Sequence, residues 1–120
     1  MRRPRTAAGK RLVDGQTENL HRAGTELGTH LVWTESEEAI LERAGETVDR
    51  AEKLRKLLDS ELRADEPRPA VTVKLSAEIR ALDRLVVDLI GRLNPEGTER
   101  PKSQRHVRAA RRRWDKAGGA

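Results

Sequence analysis

Leu75, Ile79, Leu82, Val86, Leu89 and Leu93 follow one another at steps of 4, 3, 4, 3 and 4, and nothing else in the chain constrains its fold as tightly. Side chains three or four apart share one face of an α-helix, so six large aliphatics lie in a single heptad seam. Leu85 and Ile90 widen that stripe, which calls for more than one neighbouring helix rather than a two-stranded zipper. Asn94-Pro95-Glu96-Gly97 ends the helix, because proline cannot continue the hydrogen-bond ladder.

A second stripe lies upstream. Thr34-Glu35-Ser36-Glu37 has the form of a capping box, in which the Thr34 hydroxyl and the Glu37 carboxylate each satisfy an orphan backbone donor. Glu35, Glu37 and Glu38 place negative charge at the end of the helix dipole that favours it. Ile40, Ala44, Val48, Ala51, Leu54, Leu58 and Leu62 then recur at helical steps. On the other face Glu46 and Arg50, Asp49 and Lys53, Glu52 and Lys56, and Asp59 and Arg63 are spaced as i,i+4 ion pairs, each adding about 0.2–0.5 kcal/mol. These signals predict a helix over residues 35–63, roughly 40 Å long. Pro67 and Pro69 break it, and the next helix starts either at a Thr72 cap or with Pro69 in its first turn. A connection this short implies an antiparallel helical hairpin over residues 33–97.

The hairpin has little else to bury itself against. Hydrophobic residues make up 35% of the 120-residue chain and charged residues 38%, and Trp33 and Trp114 are its whole aromatic content. A chain so poor in apolar mass cannot close a core over both stripes, so copies must associate as a bundle or ring. The expected fold class is therefore all-α: a long antiparallel helical hairpin that oligomerises, between basic, flexible N- and C-terminal segments. Residues 1–32 read as a weakly structured arm, since Leu20, Leu27 and Leu31 are interrupted by Gly24 and Gly28. Residues 98–120 read as a basic tail with one short helix, capped by Ser103 and carrying Val107, Ala110 and Trp114 on one face. Trp33, just before the Thr34 cap, reads as a packing or subunit-contact residue.

Charge follows the same division. Residues 1–32 sum to +3, residues 33–97 to −4 and residues 98–120 to +6. Basic ends on an acidic middle point to a polyanionic partner, with a solvated tail as the plainer alternative. The best-placed residues are Arg105, Arg108, Arg111, Arg112 and Arg113 beside Trp114, then Arg2, Arg3, Arg5, Lys10 and Arg11, because guanidinium forks pair with phosphate oxygens. Self-association falls to Leu75, Ile79, Leu82, Val86, Leu89 and Leu93.

The chain contains no cysteine, which removes disulfides, thiolate zinc sites and cysteine nucleophiles. No apolar run is long enough for a membrane span or an export signal, so a soluble protein without a membrane partner is expected. His21, His30 and His106 lack metal-ligand spacing, and no phosphate loop, nucleophile elbow or Ser/His/Asp arrangement is present. No metal, cofactor or catalytic residue is expected, and the chain does not read as an enzyme.

The stretch VKLSAEIRALDRLVVDLIGRLNP, the closing KSQRHVRAARRRW and the upstream WTESEEAILERAGETVDRAEKLRKLLDSEL together resemble the small terminase subunits of phages that infect actinobacteria. The resemblance covers residues 31–116 and contains no catalytic motif. It implies a protein of viral genome packaging in the cytoplasm of the bacterial host. Such a protein forms rings of identical subunits, binds double-stranded DNA and delivers it to a large terminase subunit that does the chemistry. Residues 1–33 depart from the pattern, being too short and too glycine-broken for the helix-turn-helix that many such subunits carry. A different class of protein remains open on the same residues: a coiled-coil structural or adaptor protein whose basic tail docks on an acidic protein partner.

Overall fold

A computed structural model describes residues 1–93. These residues form three helices, α1 (Ala7–Leu27), α2 (Glu35–Arg63) and α3 (Pro69–Gly91). The short terminal helix expected near residues 103–114 lies outside the described residues.

Helix α2 occupies the range read from the sequence, and both halves of its capping box form. Thr34 Oγ1 accepts from the Glu37 N–H at 3.1 Å, and Glu37 Oε1 accepts from the Thr34 N–H at 3.0 Å. At the other end the chain reverses through residues 64–68, and Glu61 clamps the turn. Its carboxylate accepts from the Arg68 N–H at 2.8 Å, from Nε at 2.9 Å and from Nη2 at 2.9 Å. Helix α3 then begins at Pro69, the alternative in which proline sits in the first turn. Thr72 is no cap; its hydroxyl donates back to the Arg68 carbonyl at 3.1 Å.

Helices α2 and α3 pack as an antiparallel hairpin, with Arg55 paired to Asp83 across it at 2.5 Å. Burial is uneven along its length. Every buried residue of α2 lies between Glu37 and Ala51, and α3 buries only Ile79 and Leu89. From residue 52 to residue 78 no position is buried. Leu57, Leu62 and Val73 are 51%, 54% and 66% exposed there.

The first 32 residues correct the expectation. The arm read as weakly structured is a 21-residue helix packed against the hairpin. Its start is pinned from across the chain: Asp49 of α2 accepts hydrogen bonds from the Arg5 N–H at 2.8 Å, the Thr6 N–H at 3.0 Å and the Thr6 hydroxyl at 2.6 Å. The Thr6 oxygen in turn caps α1 by accepting from the Gly9 N–H at 2.9 Å. Two glycines make the approach possible. A Cβ on Gly9 would stand 2.6 Å from the Asp49 carboxylate, and one on Gly45 would stand 2.5 Å from Pro4. The helix ends in a Schellman motif, with Gly28 at φ 69° and the Thr29 N–H reaching the Gly24 carbonyl at 2.9 Å.

The core sits where all three helices converge. Val13 of α1, Leu41 of α2 and Leu93 just after α3 form one buried cluster, with Ile40 and Ile90 against it. Leu20, Ala23 and Leu31 form a second cluster at the end of α1. Trp33 joins the two, packing on both and donating from Nε1 to the Thr17 hydroxyl at 3.3 Å. Its expected packing role is met, with partners on α1, on α2 and at the end of the hairpin.

Candidate interaction surfaces

The α3 seam divides in two when exposure is followed along it. Ile79, Leu89 and Leu93 are buried, whereas Leu75, Leu82 and Val86 are half-exposed. One chain therefore does not cover its own stripe. On one face, the half of the hairpin nearer the core leaves an open groove of about 730 Å³, floored by Ile40, Leu82, Leu85 and Leu89 and edged by Glu46 and Arg50.

The ion pairs differ from those that helical spacing predicts. Among the described residues none of the four i,i+4 pairs of α2 forms; the pairs are Arg3 with Asp14, Arg55 with Glu52 and Asp83, and Arg68 with Glu61. Asp49 is taken by the α1 cap, and Glu52 meets Arg55 one residue sooner than Lys56. Burial works against the charge on Asp49, yet the hydrogen bonds from Arg5 and Thr6 outweigh it and hold its pKa below the ordinary carboxylate value. The Arg68 hydrogen bonds lower Glu61 further, to about 2.

The N-terminal cations are placed unequally. Arg3 is engaged by Asp14 through two hydrogen bonds of 3.0 Å, and the Arg5 backbone is held in the Asp49 clamp. Arg2, Lys10 and Arg11 are exposed, on or next to the first turns of α1. Arg105, Arg108, Arg111, Arg112, Arg113 and Trp114 lie outside the described residues. Among the described residues no three His, Asp or Glu side chains converge as metal ligands, and no helix is long and apolar enough to cross a membrane.

Sequence reasoning missed one juxtaposition. His21 on α1 and His30 beyond it stack with ring centroids 6.1 Å apart and planes inclined by 26°. Nine positions of separation match no helical repeat; the signal is Gly28, whose left-handed backbone turns the chain back over the last turns of α1.

The described residues define an all-α architecture whose hairpin is buttressed in one half by a third helix. Comparison with family models, with curated proteins and with solved structures gives no match for the chain.

Proposed function

We propose that this chain is a small terminase-like DNA-packaging protein: copies gather through the uncovered part of the hairpin, bind double-stranded viral DNA through basic segments, and hand it to a large terminase subunit. On this reading it does no chemistry itself and works in the cytoplasm of the bacterial host. The observation that carries the proposal is the half-covered seam, in which residues 52–78 contain no buried position although Leu54, Leu57, Leu58, Leu62 and Leu75 all lie there. Exposed aliphatic surface of that extent is stabilised by a second copy, and the heptad spacing suits helix-on-helix packing. The cations of the two ends supply the electrostatic half of the reading, and the resemblance of residues 31–116 to small terminase subunits supplies the biological setting.

Light scattering of the purified chain tests the first part, with a discrete species of many subunits expected. A stable monomer at micromolar concentration would remove the proposal. Gel shifts over a salt series test the second part. Residues 100–116 hold eight Lys and Arg, and the slope of log K against log salt falls by about 0.9 for every phosphate that is no longer neutralised. Deleting those residues is expected to weaken binding and flatten that slope. An oligomer that ignores DNA at low salt would instead fit the adaptor protein, whose tail docks on an acidic protein surface.

A further inference from the structure

The imidazoles of His21 and His30 come together only through folding. Helix α1 holds His21 three residues before Gly24, and the Schellman motif at Gly24, Thr25, Gly28 and Thr29 reverses the chain so that His30 lies alongside it. A Cβ on Gly24 would stand 2.6 Å from the Thr29 carbonyl oxygen, so the absence of a side chain there is what lets the return segment close on the helix. The turn is anchored beyond the pair as well, since Leu31 is 1% exposed and packed on Leu20 and Ala23. The two rings are exposed and border an open pocket of about 440 Å³ with Thr25, Thr29 and Leu31.

We propose that His21 and His30 form a two-imidazole site for a divalent transition ion of the Zn²⁺ class, with water completing the coordination. Neutral imidazole nitrogen is the ligand that zinc, copper and nickel share, and it excludes the hard cations that prefer oxygen. A tetrahedral ion with metal–nitrogen bonds near 2 Å sets two ring centroids about 5 Å apart. The rings stand 6.1 Å apart with planes inclined by 26°, and because neither is buried their side chains can rotate until a nitrogen of each faces a shared ion. A bound ion would tie the last turns of α1 to the segment leading into α2, so it acts as a staple on the joint that closes the second cluster.

The site stands independently of any role in DNA packaging, and its test uses the full chain with ZnCl₂. Calorimetric titration at neutral pH is expected to show one ion per chain, with histidine ring resonances of His21 and His30 shifting in NMR. His21→Asn and His30→Asn are each expected to weaken binding at least about tenfold, ~1.4 kcal/mol, with circular dichroism unchanged because both positions are exposed. His106→Asn is expected to bind as the parent does, and Mg²⁺ is expected not to compete. The proposal is overturned if the parent binds no zinc, if either exposed-histidine variant binds like the parent, or if His106→Asn abolishes binding.

Discussion

The two ends of the hairpin are built from the same residue types and reach opposite outcomes. Where α1 crosses it, Leu41 and Ala44 are 0% exposed and Val13, Leu89 and Leu93 are 3–5% exposed. At the turn between α2 and α3, Leu57 and Leu62 remain more than half exposed. Helical periodicity is equally good at both ends, so it does not decide burial. A third element does: two helices cover only the strip of each that faces the other, and the rest of a stripe wider than that strip needs another surface.

The contrast between the ends is tested most forcefully at Leu41. Leu41→Ala is expected to destabilise the chain by about 2–5 kcal/mol, since a fully enclosed aliphatic leaves a cavity in the junction of three helices; urea unfolding followed by circular dichroism measures it.

Asp49→Ala is expected to cost about 2 kcal/mol, because it leaves the Arg5 and Thr6 donors without their acceptor. Amide exchange should show the loss first in α1. The same clamp gives a signed pH dependence. Asp49 has a folded pKa below its ordinary 3.8, so its contribution is complete above that value and disappears as pH falls through the lower, folded one. Asn in place of Asp49 should remove that acid-side slope.

At the other end the effects on the isolated chain shrink. Leu57→Ser with Leu62→Ser is expected to change monomer stability by less than about 0.5 kcal/mol for each position, while lowering the apparent mass seen by light scattering if copies meet there. An unchanged mass together with an unchanged unfolding curve would mean that the exposed tip is not where copies meet. Glu61 offers the finest probe: with a pKa lowered from 4.5 to about 2, its hold on Arg68 should persist above 4.5 and be released only as pH falls toward 2. Exchange of the Arg68 amide under acid reports it, and Glu61→Gln should abolish that dependence.

The sequence and the fold agree where the stabilising partners are local. The Thr34 capping box and the Pro67 break lie within a few residues of what they control, and they place α2 from residue 35 to residue 63 as observed. Helix α1 escaped because its glycines carry the ordinary cost of about 1 kcal/mol each in a helix interior, whereas what offsets that cost comes from far along the chain. Asp49 is 43 residues from Thr6, and Trp33 is 16 from Thr17. The surface reading fared the same way. Arg3 is engaged by Asp14, 11 residues on, and the spacing of His21 and His30 conceals a juxtaposition that exists only because Gly28 turns left-handed. The seam of α3 was legible as a stripe, but which of its members a single chain would cover depended on where α1 lay.

Leu93 has one more implication. Because it packs on Val13 and Leu41, the hairpin ends in the same half where it begins, against α1. The uncovered Leu57 and Leu62 lie toward the opposite pole, so the two ends of the hairpin differ in what they offer a neighbour. Copies joined through those leucines would bury the oily tip of each and leave the ends braced by α1 facing away from one another.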